Sequence, residues 1–309
     1  MGIVVLGAVF MDIKGYAFNA YQPTGKNAGK VEESHGGVCR NVVEDIANVE
    51  LRPTFVGLVD NTALGTDVID KLNRHKVNTK YMRRVEDGMG KWLAVFDNTG
   101  DVLAAVSKRP DLSEINNILD QEGDEIFKDA DSIALEIDME KDTVKRVFKY
   151  AEKYNLQVYA VVSNMSIALE RRDFMTKVGC LVCNESEAGL LFMEDYSNKT
   201  PQEMEKILIE KIKGAQIPKM IVTMGAQGAV YATLEGESGY VPARKVEVKD
   251  TTGAGDSFFA GATIGLTYGK SMQESCEIGA TLAASVICTL DNVCPRFLPG
   301  EFGIEAKTE

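Results

Sequence analysis

The sequence predicts an α/β protein in three layers, with helices on both faces of a mostly parallel central sheet and a small β-sheet over its mouth. Three observations carry this reading. Short apolar segments rich in β-branched residues recur along the chain: IVVLGAVF, PTFVGLV, SIALEI, LQVYAVV, GCLVCN and MIVTMG. Most are separated by helix-length amphipathic stretches such as KDTVKRVFKYAEKYN and QEMEKILIEKIKGA, the alternation that builds a parallel sheet covered on both sides. Two segments break that rhythm. Residues 13–35 carry glycines, Pro23 and aromatics, and KWLAVFDNTGDVLAAVS, residues 91–107, is a hairpin around an Asn-Thr-Gly turn. Both come early and are two βα units apart, so they are expected to pair in space as a lid. No low-complexity linker or internal repeat divides the chain, and all 309 residues are read as one domain with lid insertions at about 13–35 and 89–108.

Composition narrows the function classes. A chain of 309 residues with 45% hydrophobic content can bury a sizeable core. Lys and Arg total 34 against 46 Asp and Glu, a net charge of -12, which argues against a phosphate-backbone binder. Nucleic acid is excluded as an expected partner. No apolar run reaches the roughly 18 residues of a membrane span, and the opening MGIVVLGAVFMD lacks a basic region and a cleavage site, so a soluble, cytoplasmic protein is expected. Six scattered cysteines in apolar runs read as reduced core thiols. Cys180 and Cys183 form a CxxC, but three residues apart on a strand they point to opposite faces. Of the two histidines, His75 reads as a helix-end residue.

The chemistry concentrates near the C-terminus. TTGAGD runs into SFFAGATIGLTYG, a buried helix by its apolar and small residues, which puts Gly253, Ala254, Gly255 and Asp256 in the first turn. The outward N–H groups of that turn form an anion site, where glycines let a phosphate approach the backbone. A carboxylate there can accept the proton of a substrate hydroxyl as it attacks a phosphoryl group. Taken alone, Asp256 also reads as a helix N-terminal acid favoured by the dipole. Neither GxxxxGK[ST] nor a GxGxxG after the first strand is present.

Other strand ends supply the context: HGGVCRN at 35–41, NESE at 184–187 and TMGAQGA at 223–229. In this order, with MGIVVLGAVFMD before them and DTTGAGD after, the motifs resemble the ribokinase-like, or PfkB-type, sugar and nucleoside kinases along nearly the whole chain. The resemblance implies the ribokinase-like α/β/α sandwich, with ATP and Mg2+ as cofactors. It makes Asp256 the catalytic base and the amides of Gly253, Ala254 and Gly255 the anion hole. Asn184 and Glu187 match the NxxE motif that organises magnesium and its waters, and their i, i+3 spacing suits one shared cation, with a helix cap as the alternative. Thr223, Gly225 and Gly228 match the turn beside the ATP phosphates and ribose. Asp250 and Thr252 match a monovalent-cation loop, which leaves a use of K+ open. Asn292 falls on the nucleotide side, its contact with the base unassigned because residues 284–297 lack the usual GA-rich adenine loop.

For the acceptor, Asp12 closes the first strand where the family's sugar-binding aspartate sits. Gly36, Gly37 and Asn41 match the GGxxxN element that hinges the lid and touches sugar hydroxyls. Arg40 before Asn41, with DIKGYAF and NAGKV in the first insertion, resembles pseudouridine kinases, which implies transfer to a ribose 5'-hydroxyl. Lys14 and Asn27 are then candidates to face the uracil ring, although Lys14 also reads as a solvated lid lysine. A kinase of free ribose or fructose is the runner-up. A non-catalytic sugar or nucleoside sensor is the alternative of another class, disfavoured because Asp256, the turn glycines, Asn184 and Glu187 are all intact. Val95, Phe96, Leu103 and Val106 give the lid an excess of apolar side chains, so a homodimer through the lid is expected.

Overall fold

The computed structural model describes residues 2–97 and 102–305. β1 (Val4–Leu6) is fully buried, and the chain then leaves the main sheet as an antiparallel pair, β2 (Val9–Ala17) and β3 (Gly29–Gly36). Helix α1 (Val38–Asn48) returns to the core and leads through β4 (Thr54–Val59), α2 (Ala63–Arg74) and β5 (Met82–Arg84). A second excursion follows, β6 (Met89–Phe96) and β7 (Val102–Lys108), before α3 (Glu114–Phe127). Strands and helices then alternate as β8 (Ile133–Glu136), α4 (Lys141–Tyr154), β9 (Val158–Val161), short helices α5 (Met165–Ala168) and α6 (Arg172–Met175), and β10 (Cys180–Asn184). Helices α7 (Glu185–Phe192) and α8 (Pro201–Ala215) precede β11 (Lys219–Thr223). The hairpin β12 (Ala229–Thr233) and β13 (Ser238–Val241) leads to α9 (Ala254–Thr267) and α10 (Met272–Ile287).

Nine strands form the main sheet in the order β13-β12-β11-β10-β9-β8-β1-β4-β5, parallel except where β12 and β13 add an antiparallel edge. That edge was not expected from the alternation; its signal is AVYATLEGESGYV, two β-rich runs around Gly236, whose φ is 99°. Residues alternate between two cores, one on each face. Val4 and Leu6 face one and Val5 the other, and on β10 Cys183 faces the first and Cys180 the second. This is why the parallel strands read as continuous apolar runs. It also separates the CxxC pair, and all six cysteines are free.

The two excursions meet as a four-stranded lid in the order β3-β2-β6-β7, with β2 and β6 parallel from Val9↔Met89 to Tyr16↔Phe96. Tyr16 stacks on Phe96 at 4.8 Å between ring centroids. The expected hairpin is present as antiparallel β6 and β7, while its Asn-Thr-Gly turn lies outside the described residues. The first insertion begins earlier than expected: β1 ends at Leu6, so Asp12 stands on lid strand β2 rather than closing the first core strand.

The Gly36-Gly37 pair joins the lid to α1. A Cβ on Gly36 would lie 2.4 Å from the Asp12 carboxylate, and one on Gly37 would lie 2.4 Å from the carbonyl oxygen of Ala8. Gly37 also has a φ of 101°, which disfavours any L side chain. Gly37→Ala is expected to cost more than about 2 kcal/mol, from strain and backbone overlap together, in urea unfolding followed by circular dichroism.

Candidate active site

The site forms where α1, α9 and the lid converge. Gly253, with a φ of 81°, is the residue before α9, and a Cβ there would lie 2.1 Å from the carbonyl oxygen of Asn292. The Ala254 N–H, expected in the anion hole, donates to the Thr251 carbonyl at 3.3 Å, which leaves the N–H groups of Gly255 and Asp256 at the open first turn, at the positive end of the helix dipole. Beyond its own turn of helix, nothing among the described residues lies within 4 Å of where a Cβ on Gly255 would stand.

Helix α1 holds this turn in place. Asn41 donates through Nδ2 to Asp256 Oδ2 at 2.7 Å, and one turn further on Ser257 Oγ donates to Asp45 Oδ2 at 2.7 Å. A cleft of about 460 Å³ is lined by Asp256, Thr252, Asn41, Gly37 and Val38 on this side, and by Asp12, Phe10, Trp92 and Ser107 of the lid. Arg109, Ser163 and Asn164 complete it at the strand ends of the main sheet. Burial raises the Asp256 carboxyl to about 7, opposed by the Asn41 hydrogen bond and reinforced by Asp12 and Glu187. Burial likewise raises Asp12 to about 6, against the pull of Lys14 and Arg40. Glu136, at the end of β8, accepts the Ala8 N–H at 2.7 Å and is pushed up by burial and by Asp138.

The other expected residues take definite places. Asn184 caps α7 in a reciprocal capping box with Glu187: Asn184 Oδ1 accepts the Glu187 N–H, and Glu187 Oε2 accepts the Asn184 N–H, each at 2.8 Å. The cap and the acidic site are thus the same two residues, and Glu187 is raised chiefly by burial. Thr223 ends β11 beside Asn184, with Gly225 and Gly228 in the turn that follows. Among the described residues no cluster of three or more His, Cys, Asp or Glu could hold a metal alone. With one Glu187 oxygen taken by the cap, this donor set suits a magnesium ion only if it is hydrated and carried largely by ligand phosphates.

Three placements differ from expectation. Arg40 is wholly buried: it pairs with Glu44 and donates to Asn41 Oδ1 at 2.8 Å and to the His35 carbonyl at 3.3 Å, so it cannot touch a substrate. Lys14 is nearly buried, its ammonium donating to Thr252 Oγ1 at 3.0 Å and lying 3.6 Å from Asp250. It is neither solvated nor free to face a base, and its ammonium lies at the Asp250 and Thr252 side chains expected to meet a monovalent cation. Asn292 donates to the His35 carbonyl at 2.6 Å and lies 3.3 Å from Asn41 Oδ1, so its amide is engaged at the start of α1. Asn27 closes a turn on Gln22 within the lid.

Arg109 was not singled out from the sequence. It stands just after β7, partly exposed in the cleft, and is held by Asp138 at 2.9 Å. Asp138 is buried and also accepts the Ser163 N–H at 2.9 Å. The one local cue was KRP, a basic pair ending the lid hairpin.

This fold, with a carboxylate at a helix N-terminus under a β-sheet lid, is that of a ribokinase-like kinase. The model of the "pfkB family carbohydrate kinase" matches residues 2–292, and the chain belongs to that family of ATP-dependent carbohydrate and nucleoside kinases. Guanosine-inosine kinase of Exiguobacterium acetylicum is 33% identical over 292 residues, covering 94% of this chain and 95% of that one. Pseudouridine kinase of Escherichia coli is 24% identical, covering 88% and 86%, so the expected special likeness to pseudouridine kinases gives way to a stronger one. The structure of Arabidopsis thaliana ribokinase with ribose and ATP superposes with a TM-score of 0.79 at 19% identity, over 95% and 96% of the two chains.

The raised carboxyls give a signed expectation. The folded protein keeps protons on Asp12, Asp45, Asp256 and Glu136 that the unfolded chain loses near its ordinary carboxylate values, so their contribution to stability is fully present below about pH 4, falls as pH rises from there, and is gone once pH has passed the folded values of about 6 to 8. His35, held below its ordinary 6.5, acts oppositely but only on the acid side of that value. The thermal midpoint should fall from about pH 6.5 to about pH 8.5, and Asp256→Asn should flatten part of that fall and melt above wild type at the alkaline end.

Proposed function

We propose that the protein transfers the γ-phosphoryl group of ATP to the ribose 5'-hydroxyl of a nucleoside, with 6-oxopurine nucleosides such as guanosine and inosine as the acceptor class. The observation that carries the chemistry is Asp256 itself, raised to about 7 at the first turn of α9 and sharing one cleft with Asp12 of the lid. A carboxylate titrating near neutrality takes the hydroxyl proton as the oxygen attacks, while the N–H groups of Gly255 and its neighbours receive charge on the transferring oxygens. Arg109, the Lys or Arg among the described residues lining the cleft, adds a fixed positive charge beside that path. Glu187 would hold a water of the magnesium that accompanies the nucleotide, whose chemistry there would be to neutralise phosphate charge.

Asp12 and the lid determine the acceptor in this reading. Asp12, in the space that Gly36 leaves it, accepts hydrogen bonds from ribose hydroxyls, and Trp92 and Phe10 offer aromatic faces to a base. The purine preference is supported by the 33% likeness to guanosine-inosine kinase, and Arg40, which is buried, and Lys14, which is bound to Thr252, are not free to read a uracil ring. A cytoplasmic setting agrees with six free cysteines, five of them buried.

The lid also supports a homodimer. Val31, Leu93, Val102, Leu103 and Val106 are all exposed on it, Val106 at 68%, whereas Val95 and Phe96 are partly covered within the lid. A dimer by light scattering at micromolar concentration is expected, and Val106→Lys should shift it to monomer; a monomeric wild type would remove the proposal.

ATP consumption with magnesium should be fastest with guanosine or inosine, against pseudouridine, adenosine, ribose and fructose in parallel. Turnover only with ribose or fructose would keep the Asp256 chemistry and overturn the nucleoside assignment. Asp256→Asn should lower kcat at least about 1,000-fold while acceptor affinity by calorimetry changes little.

A further inference from the structure

We infer that Arg40 is a positioning residue, which from inside α1 fixes the end of the Asn41 amide that meets Asp256. The two ends of an asparagine amide have nearly the same shape but opposite polarity. With the NH2 towards Asp256 the contact is a charge-assisted hydrogen bond; with the oxygen there it is a repulsion between acceptors. Two groups that only donate settle the choice: Arg40 Nη1 at 2.8 Å from Asn41 Oδ1, and Asn292 Nδ2 at 3.3 Å. With Oδ1 committed, Nδ2 points at Asp256 Oδ2, 2.7 Å away.

Stability alone does not account for an arginine in this place. Its guanidinium is fully buried and pairs with the equally buried Glu44, while its Nε has no hydrogen-bond partner. Such a pair is commonly no more stabilising than apolar side chains of the same volume. Function gives it a reason. Asp256 is faced by Asp12 from the lid, Glu187 from α7 and Arg40 from α1, and it also interacts with the buried carboxyls of Asp45 and Glu136. Against so many carboxyls, a reversed Asn41 amide would leave the base without its one side-chain donor among the described residues.

The inference rests on Asp256 being the base, and the test separates the two. Arg40→Met/Glu44→Leu replaces the ion pair by apolar volume, and it is compared with Asn41→Ala and with the triple variant in steady-state kinetics on ATP and the preferred acceptor. Kcat is expected to fall about 10- to 100-fold in the pair variant, with both KM values within about threefold, and a charge-blind packing role would not produce that split. In the Asn41→Ala background the same replacement should change kcat less than about twofold, because Arg40 acts through Asn41. Arg40→Lys, which keeps a charge for Glu44 but has no second arm for Asn41, is expected to give the same loss and the same non-additivity, and it serves if the pair variant does not fold. Wild-type kcat in the folded Arg40 variants, or losses that multiply with Asn41→Ala, would overturn the inference. An active Asp256→Asn would instead remove the base assignment beneath it.

Discussion

The buried polar stripe of α1 is the constraint on which the site depends. Arg40, Asn41, Glu44, Asp45 and Asn48 follow helical spacing along one side, and all five are buried. Three reach across to α9 and the segment after α10: Asn41 to Asp256, Asp45 to Ser257 and to the Cys294 N–H at 2.6 Å, and Asn48 to the Cys294 carbonyl at 2.7 Å. A buried polar group left without a partner costs about 1–3 kcal/mol, so these contacts must form together or not at all. Meeting them fixes the rotation of α9, and with it the direction of the N–H groups in its first turn. Because α1 starts at the glycine pair that ends the lid, the same helix sets the height of Asp12 over that turn.

The cleft and the buried strand ends beneath it gather acids that water would keep apart. Asp12, Asp256, Glu136 and Asp138 come from the lid, α9, β8 and the loop after β8, and protein surroundings hold several of them partly protonated near neutral pH. Cations are spaced among them with different duties: Lys14 neutralises the loop of Asp250 and Thr252, Arg109 is tied to Asp138, and Arg40 balances Glu44. Carboxyls that burial keeps protonated in this way concede some stability at alkaline pH, a compromise usual for functional sites.

Local pattern made most of this legible in the sequence. The strand segments, the lid hairpin and the glycine turn before α9 follow from periodicity and from residues with few other uses, and the pairing of the two insertions follows from their shared break in the βα rhythm. What sequence could not show is set by long-range packing. Arg40 lies beside a motif asparagine, but a stripe of charged and amide residues on a helix ordinarily faces water, and only the packing of α9 and the Cys294 segment against α1 makes it interior. Lys14 finds Thr252 across 238 positions, and Arg109 finds Asp138 from the far end of α3. The asparagine and glutamate of NESE presented the opposite difficulty, since their spacing serves a helix cap as readily as a hydrated cation and the structure uses it for the cap.

The lid is held to itself by the parallel pairing of β2 with β6, whose partners run from Val9 with Met89 to Tyr16 with Phe96. Between these strands the chain must complete α1, β4, α2 and β5. Closing a loop of that length carries its entropic cost before any lid contact repays it, whereas β8 to β9 and β10 to β11 join neighbours across a few tens of residues. Val4 of β1 meets Ile133 of β8 across a longer span still, so the lid and the join between the two halves of the central sheet both wait on long-range closures, while β8 with β9 and β10 with β11 can pair locally.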